Sequence, residues 1–332
     1  MPIPILVGLG YVALGAFGLT GVGKGVSGVS KLNKAKSIGK EAKEKHTNAL
    51  QMTERKRKQV QKRASEYGKQ LAAINDNLFK PLRQFLQEID QNPRAKEIEI
   101  PSSISTDVSS ISDFKMQVLE PVKDFMGVLT AAGVGSAAST SAVGLVTLLG
   151  SASTGTAIGT LSGAAATNAT LAWLGGGSLA TGGGGMAAGS IMLGGIAVAP
   201  ALFIGGLILS SKGDKALTQA HLYRSEVNVA NEKLKSTRVF MSKIVKRTKE
   251  LSSLLKQLEA KALQFFNQLD SSSFSIDDDE HIDILQQTML FSTAISEIMR
   301  TPILTEKGNL TKRSHSIQMK YTPLIEEQND VE

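Results

Sequence analysis

"LAWLGGGSLATGGGGMAAG", residues 171–189, places eight glycines in nineteen positions. Glycine runs cradle phosphate, link domains flexibly, or let helices pack closely inside a membrane. This one lacks the Gly-Lys-Ser/Thr ending of a phosphate loop. Its surroundings argue against a solvated linker: from Phe125 to Ser211 there is no Asp, Glu, Lys, Arg or His. All 67 charges of the 332-residue chain therefore lie outside these 87 residues, and 20 of its 32 glycines lie within them. A soluble surface needs charge on every helix and turn, so a stretch this long without any points to lipid or a very deep core, and lipid is the expectation. In lipid, small side chains let helix backbones approach until van der Waals contact holds them.

Working outward, Met186–Ser211 is a strong spanning segment with a kink expected at Pro200, and Met126–Gly150 is a weaker one. Ile3–Gly23 is a further uncharged apolar run, followed by Lys24, Lys31, Lys34, Lys36 and Lys40. It has no basic n-region, and the lysines oppose translocation, so it reads as an anchor with a cytoplasmic basic flank. Between Lys24 and Lys69 there are 14 Lys/Arg and four Glu, a balance of +10, although the whole chain carries only +7.

Two long polar segments flank the block. In residues 30–91, Val60, Ala64, Tyr67, Leu71, Ile74, Leu78, Leu82, Phe85 and Ile89 follow 4-3 spacing with one slip near Pro81. After the block, fourteen positions from Tyr223 to Leu269 alternate 4 and 3 without a break, the signature of a coiled-coil helix. The two helices are natural partners, and an antiparallel pairing is expected, with self-association as the alternative. Both flanks of the block then lie on one side of the membrane, so the block crosses an even number of times, most simply as a hairpin.

The expected fold is thus all-α: a long antiparallel helical coiled coil with a glycine-rich transmembrane hairpin and an N-terminal anchor. Its parts are an anchor (1–29), a basic cytoplasmic helix (30–92), a linker and short helix (93–124) and the membrane-embedded hairpin (125–211). A heptad helix (212–270), a C-terminal helical segment (271–312) and a flexible tail (313–332) follow.

Chemistry finds little foothold. With no cysteine, disulfides, zinc-thiolate sites and thiol nucleophiles are excluded. "GLTGVGKG" (Gly18–Gly25) approaches a phosphate loop, but Gly25 stands where the magnesium-binding hydroxyl belongs. The four histidines are scattered, and Asp277, Asp278 and Asp279 are better placed to start a helix than to hold a cation. No catalytic residue, cofactor or metal site is expected. The basic cluster Arg55, Lys56, Arg57, Lys58, Lys62 and Arg63 offers nothing for base readout; it reads as a solvated face or a contact for anionic lipid rather than nucleic acid. The membrane-packing candidates are Gly175, Gly176, Gly177, Gly182, Gly183, Gly184, Gly185, Gly189, Gly194 and Gly195.

"GTAIGTLSGAAATNATLAWLGGGSLATGGGGMAAG", followed by an apolar span, a heptad helix and "TPILTEKGNLT", resembles a family of uncharacterised bacterial glycine-rich membrane proteins. The architecture is also similar to α-helical pore formers such as cytolysin A and colicins, and to apolipoprotein L. The apolar segments and the basic flank lead to the expectation of a multi-pass inner-membrane protein with its long helices in the cytoplasm, bound to the lipid bilayer and homo-oligomeric. A non-enzymatic, membrane-perturbing effector is the expected function, with a scaffold binding a protein partner through its coiled coil as the alternative.

Overall fold

A computed structural model of the chain describes residues 25–89, 110–131, 148–150, 152, 156–161, 165, 168–169, 213–269, 273–305 and 309–326. These residues are predominantly helical, and no strand is present among them. The all-α expectation holds. The helices are α1 (Gly25–Ile74), α2 (Lys80–Ile89), α3 (Ile111–Phe114), α4 (Glu120–Ala131), α5 (Gly213–Phe266), α6 (Asp279–Met299), α7 (Lys312–Tyr321) and α8 (Pro323–Glu326).

α1 contains no proline and is rich in Ala, Lys, Glu and Gln, which lose little freedom in a helix. Lys45–Glu41 at 2.6 Å, Arg57–Glu54 at 2.6 Å and Arg63–Glu66 at 2.8 Å add pairs one turn apart. It continues into α2 through a π-turn, Asn75–Phe79, and α3 continues into α4 through another, Lys115–Leu119. In each, the closing N–H reaches back five residues, from Lys80 to the Asn75 carbonyl and from Glu120 to that of Lys115. Each is also followed by a proline one residue later, Pro81 and Pro121. A proline ring lacks the N–H and clashes with the carbonyl four residues back, and a widened turn relieves both problems. The first π-turn also absorbs the extra residue in the apolar stripe between Ile74 and Leu82, so Leu78, Leu82, Phe85 and Ile89 stay buried.

The chain forms two compact units. In the first, residues 25–49 of α1 lie against residues 213–233 of α5. Ala35 and Ile38 pack with Ala216 and Ala220, and Ala42 packs with Tyr223 and Val227. Lys31 Nζ donates to Asp214 at 2.6 Å, and His46 Nδ1 lies 2.8 Å from Asn231 Oδ1. The separations along the chain are 183 and 185 residues. A nearly constant separation means the helices run parallel; in an antiparallel pair it falls by two for every residue advanced.

The second unit gives the same result within itself. Arg238 donates to Thr53 Oγ1 and Gln70 to the Ser252 carbonyl, at separations of 185 and 182. The antiparallel pairing expected from the sequence is therefore corrected to a parallel one. A 4-3 stripe defines a buried seam but is satisfied in either direction.

The core of the second unit joins the seam residues Leu71, Leu78, Leu82, Leu251, Leu255 and Leu258 to α6 through Met289, Phe291, Ile295 and Ile298. Phe114, Val118, Val122 and Phe125 of α3–α4 complete it. Met126, Leu129, Leu148 and Leu149 belong to the same core, so both ends of the weaker spanning segment, Met126–Gly150, are seated in protein. The turn at Ile158–Thr160 lies against α4, and the Ile158 N–H donates to the Gly150 carbonyl at 3.0 Å. These residues at the start of the uncharged block thus find apolar partners on other helices.

The tail from residue 313 is also corrected. α7 and α8 are ordered helices because Ile317, Tyr321 and Ile325 recur every four residues and bury one face in the core. They are positioned by the "TPILTEKGNLT" segment. Leu304 and Leu310 form an antiparallel bridge, Leu304 N–H donates to the Leu149 carbonyl at 2.6 Å, and Thr311 caps α7 by accepting from Ser314 N–H. At the other end of this lobe, Asp278 caps α6 by accepting from Glu280 N–H, as the acidic run suggested.

Candidate functional site

The ten glycines singled out from Gly175 to Gly195 lie outside the described residues, as do Ile3–Gly23 and the spanning segment Met186–Ser211. What the structure places is the helix pair into which two of these segments feed. α1 begins at Gly25, one lysine after the first apolar run, and α5 begins at Gly213, one lysine after the last. Because the pairing is parallel, both beginnings lie at the same end of the first unit. The Lys31–Asp214 ion pair marks that end.

The interface there mixes small and larger apolar residues. Ala35, Ala42, Ala216 and Ala220 are buried beside Ile38, Tyr223 and Val227. A polar pair interrupts this seam: His46 is buried, Nδ1 meets Asn231, and Nε2 has no partner among the described residues. Around the seam the surface is basic. Lys34, Lys36, Lys40, Lys43 and Lys45 are exposed on α1 with only Glu41 and Glu44 opposing them. The Lys45 ammonium beside Glu41, bonded to it and attracting it, holds that carboxyl below its ordinary range.

The six residues of the predicted basic cluster do not form one patch. With about 100° between successive residues, Arg55, Lys58 and Lys62 fall on the side of α1 opposite Ala64, Tyr67 and Leu71. All three are exposed. Arg57 and Arg63 flank the seam and bond to Glu54 and Glu66, and Lys56 donates to Gln59 at 2.8 Å. The Arg57 contact also holds Glu54 below the ordinary carboxylate range. The cluster is therefore a thin outer stripe of three cations with two internally paired arginines beside it.

No group of acidic, histidine or cysteine residues suited to a metal ion occurs among the described residues. The histidines are held apart: His46 faces Asn231, His221 faces Arg224, His281 faces Asp278 and His315 faces Arg247. No helix among the described residues is long and apolar enough to cross a membrane. No protein-family model, curated protein or solved structure matches the chain.

The sequence missed two features: the direction of the helix pair and the ordered C-terminal lobe. The second had a visible signal in the four-residue spacing of Ile317, Tyr321 and Ile325. The first had none, because the seam pattern carries no arrow.

Proposed function

We propose that the chain is a membrane-attached effector whose glycine-rich segment packs helices closely and perturbs the bilayer. One observation carries this reading: the parallel register of the first unit. It brings together the starts of two helices, each of which begins one lysine after an uncharged apolar segment. The helix starts at Gly25 and Gly213 therefore stand at one end of the first unit, where both segments enter it. Lys24, Lys31 and Lys34 after one, and Lys212 and Lys215 after the other, place the helix pair on the cytoplasmic face by the positive-inside rule.

Met126 and Leu149 belong to a protein core, and this reading assigns the bilayer crossings to residues 162–211. A hairpin there pairs segment 186–211 with residues 162–185, about 36 Å long as a helix. That partner contains the seven glycines of the two runs. Such a helix is weak alone, since each glycine costs about 1 kcal/mol relative to alanine. It is held by close neighbours, and the N-terminal anchor and copies of the chain supply them. The second reading, a scaffold that uses these segments only for attachment, is favoured by the long seam and exposed polar faces of α1 and α5.

A membrane-potential dye read during controlled expression separates the two, with fractionation as its companion. The effector reading expects depolarisation, and loss of it on Gly183→Leu with Gly184→Leu. Unchanged potential with the protein in the membrane fraction overturns the effector reading and leaves the scaffold. Recovery in the soluble fraction overturns both.

A further inference from the structure

Within the second unit, a cleft of about 350 Å³ opens between the first π-turn, α2 and α4. Lys80, Arg83 and Lys123 line it, against one carboxylate, Asp76. Three separate devices build it. The first π-turn widens the helix at Asn75 and Asp76, at the cleft wall. The second π-turn ends at Leu119, whose carbonyl accepts from Arg83 Nη2 at 3.2 Å and fixes the guanidinium. On α4, Gly127 leaves the floor open: a Cβ added there meets nothing within 4 Å. π-turns often sit at functional sites, and the first one forms part of the wall here.

The chemistry of the cleft is that of an oxyanion receptor. Arg83 Nε is buried and finds no partner among the described residues, so the guanidinium retains a donor that the fold itself does not use. Lys80 and Lys123 reach the cleft from opposite helices, resting on Asp76 at 2.7 Å and Glu120 at 2.8 Å in exposed pairs. Exposed pairs of this kind contribute little and exchange readily. Three cations converging from two helices suit a group with several charged oxygens, and the volume exceeds that of a bare phosphate. Ala72, Met126 and Gly127 supply an apolar wall for the remainder of a ligand.

We infer that this cleft binds a phosphate-bearing small molecule, with Arg83 as its central anchor and Lys80 and Lys123 as flanking cations. The inference does not depend on the membrane reading, because every residue involved belongs to the second unit.

The test is calorimetric titration of the full chain in detergent at low salt with inorganic pyrophosphate. Saturable binding at one site per chain is expected. Lys123→Gln weakens it by about tenfold, the effect of losing one charge-assisted contact. Gly127→Leu fills the floor and weakens it at least as much, with an unchanged circular dichroism spectrum showing that the fold is kept. Arg55→Gln with Lys58→Gln, on the outer stripe, leaves it unaltered. Absence of saturable binding overturns the proposal. So does an equal loss in the outer-stripe variant, which would mark general charge attraction, or full binding by Gly127→Leu.

Discussion

His46 and Asn231 stand 185 residues apart in the chain, yet their side chains meet at 2.8 Å across the helix pair of the first unit. This contact lies within a seam otherwise made of alanine, isoleucine, tyrosine and valine. Apolar seams slide; a polar pair has one good position. Such pairs fix register in paired helices at some cost in stability.

The parallel direction has a direct check, aided by the absence of native cysteine. His46→Cys combined with Asn231→Cys is expected to form a disulfide under mild oxidation, seen as a mobility shift reversed by reductant. Lys31→Cys combined with Asn231→Cys is expected to form none. The opposite pattern would mean that the helices run antiparallel.

The register role of the polar pair separates from its stability role. His46→Ala alone strands Asn231 and is expected to destabilise the pair by roughly 1–3 kcal/mol, read as a lower melting temperature. His46→Leu with Asn231→Leu is expected to recover that loss while admitting shifted registers. Spin-label distances between α1 and α5 would then broaden. A single sharp distance in the double variant would remove the register role.

Glu297 holds the C-terminal lobe. Burial raises its pKa, but hydrogen bonds from Lys320 and Tyr321, together with Arg313, outweigh that and hold the carboxyl below its ordinary range. A carboxylate depressed in the folded state stabilises it above the unfolded pKa, and loses that contribution as pH falls through the folded value. Acidification below about pH 4 is therefore expected to loosen α7 and α8. Limited proteolysis by an acid-active protease would detect it as early cleavage near residue 312. Tyr321→Phe is expected to cost roughly 1–2 kcal/mol even at neutral pH, whereas Lys320→Ala, removing a half-exposed partner, costs under about 1 kcal/mol.

The first π-turn is expected to be an accommodation of one surplus residue. Deleting Asn77 together with Pro81→Ala removes both the surplus and the proline, and helicity by circular dichroism and cooperative melting are expected to persist. Deleting Lys69 in the same helix rotates one half of the seam by about 100° against the other. That variant is expected to lose several kcal/mol and its cooperative transition, roughly the scale of emptying buried positions. Equal behaviour of the two deletions would refute the reading of the π-turn.

The long helices were legible because local rules decide them, whereas α7 and α8 went unread. Asp278 caps α6 within the acidic run, the 4-3 stripe marks the seam of α1 and α5, and the slip near Pro81 foreshadowed the π-turn. Segregation of charge in the sequence likewise sets apart residues 125–211, whatever surrounds them. The direction of the helix pair was decided only by tertiary structure, because a periodic apolar stripe reads the same from either end. Which part of the uncharged block meets protein was decided there too: Leu148 and Leu149 are as apolar as any lipid-facing leucine, and only their packing into the core beside α6 distinguishes them. The cleft around Arg83 belongs to the same class, since Asn75, Arg83 and Gly127 come together from separate helical segments that no residue pattern along the chain relates to one another.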